Sequence, residues 1–378
     1  MTKTSKWIQI LLFTALISVF LALFLAMPDV LFSEQENRKL TQAPQFTLEN
    51  LFSGKFTQKF ESYITDQFPL RDRWITVKAR SELLTGKKEN KGVYLCEDDT
   101  LIEAYKAPDP AQLEKNIDAV RTLSESADVP VYFALIPGAA EIHSSLLPKN
   151  APNDSQKDVI NFCYENSGAV NVDIYSALQS HSDEYIFYRT DHHWTSLGAY
   201  YGYTSLMDAM GLGHSPLTAF DRRTVTDEFF GTVYSKSGIN WVKPDTIEIF
   251  AEQDEATTVL NYSEGEAVKT ELYDYGCLEK KDKYSMFMGG ITPLITVETG
   301  NTDAPTLLVV RDSYMDSLAP FLQNSFSKIY FIDLRYYKTQ FMQSSIRNFI
   351  RENSIDEVLV CYSVYNFATD ANVFLLGL

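Results

Sequence analysis

Cysteine, histidine and basic residues are scarce in this chain, and each scarcity narrows the range of functions. The 378 residues include four cysteines and five histidines, and 33 Lys and Arg stand against 50 Asp and Glu, giving a formal net charge of −17. This shortage of positive charge argues against nucleic acid as a partner, because phosphates are bound through Lys and Arg. The low cysteine count indicates a fold that depends on its core rather than on disulfides.

The cysteines are too widely spaced for a compact zinc motif. Cys361 lies within the apolar run Val358–Tyr362, which predicts a buried thiol. A bridge from Cys277 to either Cys96 or Cys163 is compatible with an extracellular location, and the sequence does not choose between these pairings.

Long apolar runs are also rare, with one exception near the N-terminus. Residues 7–27 are apolar apart from Gln9, Thr14 and Ser18. A run of this length matches the ~20 residues that a membrane-spanning helix needs. Lys3 and Lys6 precede the run, so the positive-inside rule places the N-terminus in the cytoplasm and the rest of the chain outside. A cleaved signal peptide is the alternative. We favour an uncleaved anchor that makes this a single-pass protein of the cell membrane.

Apolar runs alternate with amphipathic helical patterns from residue 110 onwards, which predicts an α/β fold with a parallel sheet covered by helices. Residues 215–300 interrupt this rhythm with short β-like pieces, including Thr232–Tyr234, and read as an inserted β-rich subdomain or lid. The predicted segments are a cytoplasmic tip and anchor (1–27), an extracytoplasmic stalk (28–90), a first catalytic part (91–214), the insertion (215–300) and a second catalytic part (301–378).

The run Arg189-Thr-Asp-His-His-Trp-Thr-Ser-Leu-Gly198 concentrates chemistry in a short space. A helix is predicted to begin directly after it, with Thr195 or Ser196 as the N-cap. In an extended segment, Asp191 and His193 would share one face, and the carboxylate would orient the imidazole for base catalysis. His192 would then point away. A metal site is an open alternative, although the sequence provides no clear fourth ligand.

Ser313 is the candidate nucleophile. It follows the apolar strand that ends at Val310, and a helix is predicted to begin near Tyr314. Ligands collect at the carboxyl ends of strands in open α/β sheets, and a helix N-terminus favours an oxyanion. A purely structural role for Ser313, as the cap of that helix, is the alternative.

Taken together and in this order, these segments resemble the DHHW family of bacterial surface proteins. That family is related to the AlgJ and AlgX alginate O-acetyltransferases within the SGNH-hydrolase-like superfamily. The resemblance rests on Glu36-Asn-Arg-Lys-Leu40, Phe68-Pro-Leu-Arg71, Tyr188–Ala199 and Leu308-Val-Val-Arg-Asp-Ser-Tyr314, with softer matches at Phe230–Gly238 and Ile332–Tyr337. It implies an SGNH-hydrolase-like parallel sheet flanked by helices, with a circularly permuted motif order.

The resemblance assigns Ser313 as nucleophile, His193 as base and Asp191 as its orienting acid. It places Asn366 where an oxyanion-binding Asn is expected, although a turn-forming role is equally open. Arg335 follows another strand end and would either bind substrate or pair with an acid.

One departure stands out, because Arg311 replaces the usual Gly of the Gly-Asp-Ser block. This replacement is the best support for a non-catalytic surface or exopolysaccharide assembly protein.

The sequence therefore predicts a membrane-anchored extracytoplasmic O-acetyltransferase that needs no cofactor or metal and modifies a secreted or cell-wall polysaccharide. The resemblance implies a membrane-bound O-acyltransferase as the partner that supplies acetyl groups. The acidic composition favours a neutral or amino-sugar glycan over alginate. An esterase with the same triad is the main alternative, since only the acceptor of the acyl group differs.

Overall fold

The structure is a computed structural model that describes residues 3–262, 265–340 and 345–378. The chain forms two compact units. The first comprises Met1–Lys91 with Tyr234–Trp241, and the second comprises Gly92–Val233 with Val242–Leu378.

The first unit contains the apolar N-terminal helix that the sequence predicts. Helix α1 (Lys3–Ala26) has no buried residue within the protein and is long and apolar enough to cross a membrane. The other elements of this unit are short strands β1 (Phe32–Ser33), β2 (Arg38–Lys39) and β3 (Glu89–Asn90), and helices α2 (Leu48–Phe52), α3 (Lys55–Asp66) and α4 (Arg71–Leu84).

Charged residues of the two N-terminal motifs hold this unit together. The Asp66 carboxylate accepts two hydrogen bonds from Arg38, at 2.6 and 3.1 Å, and one from the Thr41 main-chain N–H at 2.8 Å. Glu36 in turn accepts from Arg38 and from Arg71. The guanidinium of Arg38 lowers the pKa of Asp66 well below its ordinary value. The Glu36–Leu40 and Phe68–Arg71 motifs therefore meet in one ion-pair network.

An eight-stranded sheet forms the centre of the second unit, with strand order β11-β10-β12-β14-β13-β15-β6-β7. Its strands are β6 (Val131–Ile136), β7 (Val170–Val172), β10 (Thr258–Asn261), β11 (Val268–Thr270), β12 (Leu294–Glu298), β13 (Thr306–Arg311), β14 (Lys328–Ile332) and β15 (Glu357–Ser363). Strands β14, β13, β15, β6 and β7 are parallel, as the sequence predicts. Strands β12, β10 and β11 extend the sheet by antiparallel pairing.

Helices cover both faces of this sheet, and two hydrophobic clusters lie between the layers. The alternation within β13 shows the arrangement, since Leu307 and Val309 belong to one cluster while Leu308 and Val310 belong to the other. The helices are α5 (Pro110–Ser126), α6 (Ala139–Ile142), α7 (Gln156–Asn166), α8 (Ile174–Ser180), α9 (Ser196–Met210), α11 (Leu334–Gln340), α12 (Ile346–Glu352) and α13 (Val364–Thr369). The residues of α10 (Thr232–Ser237) belong partly to each unit. Burial on both faces explains why the parallel strands read as continuous apolar runs.

Two peripheral pairs of strands complete the second unit. β4 (Val93–Leu95) and β5 (Leu101–Glu103) form an antiparallel hairpin, and β8 (Arg223–Phe229) pairs with β9 (Asp245–Ile249). Residues 215–300 thus contribute β10, β11 and β12 to the main sheet and form the separate pair of β8 and β9. The boundaries of that segment as a subdomain, and the permuted motif order, remain predictions.

Local structure differs from the predictions in two places. Thr232–Tyr234 begins helix α10 and is not β-like. The chain after Asp312 forms two short 3-10 turns, Ser313–Ser317 and Ala319–Asn324, where a regular helix was predicted. All four cysteines lie in the described part of the chain and are free, so neither candidate bridge is present.

Candidate active site

The Asp-His-His-Trp segment folds as a tight loop that ends at a helix. Phe187 and Trp194 pair across the loop, and the Thr195 N–H donates to the Ile186 carbonyl at 2.9 Å. Thr195 is the N-cap of α9, as one of the two predictions had it. Only glycine fits at position 198, because a Cβ there would lie 2.4 Å from the Ile186 oxygen.

Asp191 contacts His193 through a bend in the chain. The Asp191 Oδ1 accepts the main-chain N–H of His193 at 3.0 Å and lies 2.6 Å from the ring Nδ1. The extended geometry predicted for this pair is therefore wrong, although the predicted contact forms. The side chains are well buried, with relative exposures of 3% for Asp191 and 5% for His193.

The other ring nitrogen of His193 faces Ser313. Its Nε2 lies 2.9 Å from Ser313 Oγ, and the hydroxyl is partly exposed. Ser313, His193 and Asp191 thus form one continuous hydrogen-bonded chain. Since the first of these residues follows β13 and the other two precede α9, the chain joins segments that are distant in sequence.

Trp194 joins the loop that contains Asp191 and His193 to the turn that contains Ser313. Its indole Nε1 donates to the carbonyl oxygen of Tyr314 at 2.8 Å, and the indole is fully buried. The Tyr314 hydroxyl donates back to the carbonyl oxygen of His192. These bonds fix the distance between the loop and the serine turn.

Asp312, which the sequence analysis did not single out, anchors the serine turn. Its Oδ1 accepts the Tyr314 N–H at 3.0 Å, so Asp312 and not Ser313 caps the turn. Its Oδ2 accepts from the N–H and hydroxyl of Ser363 and from the amide of Asn366, at 2.9, 2.7 and 2.8 Å. An acid directly after a buried strand was the sequence signal for this residue.

Asn366 and Arg335 both lie after parallel strands, as the sequence predicts, and both contact acids. Asn366 lies in the first turn of α13 and donates one amide N–H to Asp312. Arg335 donates to both oxygens of the buried Asp333 carboxylate, at 2.9 and 2.6 Å. This ion pair matches the structural alternative for Arg335. Functional roles for Asn366 and Arg335 remain predictions.

His192 lies beside His193, and the prediction that it points away is wrong. The two ring centroids are 3.9 Å apart, and His192 Nδ1 lies 2.6 Å from Thr232 Oγ1. Thr232 also donates its N–H and its hydroxyl to Asp191 Oδ2, at 2.7 and 2.9 Å. The Asp191 carboxylate therefore contacts two imidazoles: that of His193 directly, and that of His192 through the hydroxyl of Thr232.

This arrangement determines the charge states of the cluster. Burial would raise the pKa of Asp191, but the neighbouring imidazoles of His192 and His193 and its hydrogen bonds lower it below the ordinary value. Burial and the nearby His193 lower the pKa of His192 to about 4. Asp191 is thus ionised and His192 neutral near pH 7.

The same three residues are the ones that a metal site would use. Ligand atoms of Asp191, His192 and His193 lie within 4.8 Å of one another, but both Nδ1 atoms and both carboxylate oxygens already hold hydrogen bonds.

Residues 215–300 contribute directly to the site. Besides Thr232, they supply Tyr284, whose ring stacks on His193 at 3.7 Å with 7° between the planes. They also supply Asp245, which accepts the main-chain N–H groups of Arg189 and Thr190 at 2.9 and 2.8 Å. A Cβ at Gly231 would lie 2.2 Å from Asp191 Cβ, which explains the Gly before Thr232.

Arg311 does not displace the serine turn. Its side chain is 1% exposed and its Nη1 lies 2.6 Å from Asp316 Oδ1. Burial raises the pKa of Asp316 to about 7, even though Arg311 opposes this shift. The Arg–Asp pair thus lies inside the protein next to the Ser313–His193 contact, which weakens the support that Arg311 gives to a non-catalytic surface or assembly protein.

The DHHW protein family matches residues 115–332 of this sequence. The chain belongs to this family. Among proteins of known sequence, it is similar to the probable alginate O-acetylase AlgJ of Pseudomonas putida, with 24% identity over 171 residues, 42% of this chain and 44% of that protein. It is also 26% identical to the AlgJ of Pseudomonas aeruginosa over 159 residues, 39% of this chain and 41% of that protein. The match thus spans less than half the length of either relative.

Two solved structures share the fold over most of the chain. A DHHW family protein from Eubacterium siraeum is 26% identical, with a TM-score of 0.65 over 76% of this chain and 95% of its own. Bacillus cereus PatB1, solved with a sulfonyl adduct, is 21% identical, with a TM-score of 0.62 over 75% of this chain and 97% of its own. Because PatB1 is 21% identical, its similarity shows a shared fold and nothing more.

Proposed function

We propose that this protein is an extracytoplasmic O-acetyltransferase that esterifies hydroxyls of a secreted or cell-wall polysaccharide. The observation that carries the proposal is the hydrogen-bonded chain from Ser313 Oγ through His193 to Asp191. The similarity to probable alginate O-acetylases supports acetyl transfer to a glycan as the reaction.

The reaction would proceed through an acetyl-enzyme. Ser313 Oγ attacks the carbonyl carbon of the acetyl donor while His193 Nε2 removes its proton, and Asp191 stabilises the resulting imidazolium. The tetrahedral intermediate collapses to acetyl-Ser313, and His193 returns the proton to the leaving group. A sugar hydroxyl then attacks the acetyl carbon and gives its proton to His193. The serine leaves as the second intermediate collapses, and it regains a proton from the imidazolium.

Charge on the tetrahedral oxyanion needs donors near Ser313. The main-chain N–H of Ser313, at the start of its 3-10 turn, and the amide of Asn366 are the groups that we assign to this task. The contact with Asp312 orients the Asn366 amide, because it uses one amide N–H and leaves the other to donate.

Membrane attachment through α1 completes the proposal. Lys3 and Lys6 at the start of α1, before its apolar stretch, support a location of the site outside the cell by the positive-inside rule. Because acetyl donors are made inside the cell, a membrane-bound O-acyltransferase is the partner that would carry acetyl groups to Ser313.

Hydrolysis of p-nitrophenyl acetate by the full chain in detergent, with and without an oligosaccharide acceptor, tests the proposal. We expect p-nitrophenol release together with acetylated oligosaccharide, and loss of both in Ser313→Ala. Release without transfer to any glycan would favour an esterase. Equal inertness of the unaltered protein and Ser313→Ala would contradict both enzymatic functions.

A further inference from the structure

A cavity of about 270 Å³ lies beside the triad. Its lining includes Gly138, which follows β6, Ser363 and Asn366, at and after the end of β15, and His192 and Tyr314. The cavity therefore lies at the carboxyl edge of the parallel strands, where ligands collect in this class of sheet.

Gln156 presents an unused donor to this cavity. The residue is 4% exposed and its Oε1 accepts the Gly138 N–H at 2.8 Å. Within the described ranges 3–262, 265–340 and 345–378, its Nε2 has no hydrogen-bond partner. Gln156 lines the cavity, so this amide is available to donate a hydrogen bond to a group that binds there.

His192 presents an unused acceptor to the same cavity. Its Nδ1 donates to Thr232 Oγ1, because the Thr232 hydroxyl proton goes to Asp191. In a neutral imidazole, the remaining nitrogen is then an acceptor. No other described residue bonds to this Nε2. The lining therefore provides both a donor, at Gln156, and an acceptor, at His192, a combination that suits hydroxyl groups, which both donate and accept.

The rim adds an aromatic surface and an acid. The ring of Tyr365 lines the cavity and is 60% exposed, which suits stacking against the apolar face of a sugar. Glu103, which is exposed, and Asp191 are the acids of the described lining, which contains no Lys or Arg. A carboxylated sugar would meet like charge at Glu103 and an acceptor, not a donor, at His192.

We propose that this cavity is an acceptor subsite that binds one electrically neutral hexose ring, with Gln156 and His192 holding its hydroxyls and Tyr365 stacking on its face. The assignment rests on the proposed acetyltransferase function and narrows its substrate class to neutral glycans over uronate polymers.

Direct binding tests this subsite without an acyl donor. The full chain in detergent is titrated calorimetrically with cellohexaose, N-acetylchitohexaose and an alginate hexasaccharide. We expect at least one neutral hexasaccharide to bind and the alginate to bind at least tenfold more weakly. Gln156→Glu keeps the acceptor for Gly138 but loses the donor, and Tyr365→Ala loses the stacking surface. Each should weaken neutral-sugar binding at least tenfold.

Phe374→Ala is the matched control, because Phe374 is 45% exposed and does not line the cavity. Its affinity for neutral sugars should equal that of the unaltered protein. Alginate binding as tight as neutral-sugar binding, or unchanged affinity in Gln156→Glu and Tyr365→Ala, would overturn the subsite. Absence of sugar binding would do so even if p-nitrophenyl acetate is hydrolysed, while the hydrolysis assay tests the proposed function on its own.

Discussion

The ring of Tyr284 lies flat against the imidazole of His193, with 3.7 Å between the centroids. The Tyr284 hydroxyl lies 3.1 Å from the Ser313 carbonyl oxygen and 3.1 Å from Ser317 Oγ. One side chain from residues 215–300 therefore contacts both the residue proposed as base and the residue proposed as nucleophile. Residues 215–300 thus support the hydrogen-bonded chain of Ser313, His193 and Asp191 from outside the two motifs.

Tyr284→Ala should lower kcat/KM for p-nitrophenyl acetate about 10- to 100-fold, because a misplacement of about 1 Å costs a rate factor of that order. Tyr284→Phe keeps the stacked ring and should retain most of the activity. Steady-state kinetics of the two variants measures the difference.

Tyr273→Ala separates positioning from general destabilisation. Tyr273 is 5% exposed in the same segment, and its hydroxyl donates to the Ala251 carbonyl away from His193. We expect its unfolding midpoint to fall as that of Tyr284→Ala does, with a smaller loss of kcat/KM below the transition. Equal losses in the two variants would contradict a positioning role for Tyr284.

Thr232→Val should reduce kcat about tenfold or more, because a hydrogen bond to a charged group contributes about 1.5–3 kcal/mol. The hydroxyl donates to Asp191 Oδ2 and accepts from His192, while the Thr232 main-chain N–H remains in either variant. Thr232→Ser keeps the hydroxyl and should keep kcat. If the Val and Ser variants have the same kcat, the hydroxyl does not support the triad.

The parallel strands were predicted from local patterns, whereas the meeting of Ser313 with His193 was predicted from the resemblance to the DHHW family. Buried strands read as apolar runs, and residues that follow such strands meet at one edge of the sheet. The Thr195 cap of α9 is likewise a local signal.

Other features depend on long-range contacts that no local pattern contains. Tyr284 and Thr232 come from a segment whose role the sequence left open. Thr232 begins a helix where β structure was predicted, since Asp191 accepts the N–H of its first turn. The bend at Asp191 likewise depends on the hydrogen bond from the His193 main-chain N–H to the Asp191 carboxylate. The pattern of polar and apolar residues does not predict such a bond.

Arg311→Met should destabilise the protein more at pH 8 than at pH 5. Burial already raises the pKa of Asp316 from its ordinary value to about 7, and loss of Arg311 would raise it further. The folded state then binds the proton more tightly than the unfolded state, so stability falls as pH rises through this range. At pH 8 the loss should approach the ~3–5 kcal/mol of a broken buried ion pair. Urea unfolding at both pH values measures it, and equal losses would show that Asp316 does not titrate there.

Asp312→Asn should both destabilise the fold and impair the site. The buried carboxylate accepts four hydrogen bonds, from Tyr314, from Ser363 twice and from Asn366. An amide in its place directs donors at donors, and unsatisfied buried groups cost about 1–3 kcal/mol each. We expect the free energy of unfolding to fall by about 3 kcal/mol or more, with kcat lost in the fraction that stays folded.

Asp128→Asn is the control, at an exposed ion pair with Arg351. It should change the unfolding free energy by less than about 0.5 kcal/mol. A stable, fully active Asp312→Asn would mean that the other contacts of the serine turn, from Trp194, Tyr284 and Tyr314, hold it without Asp312.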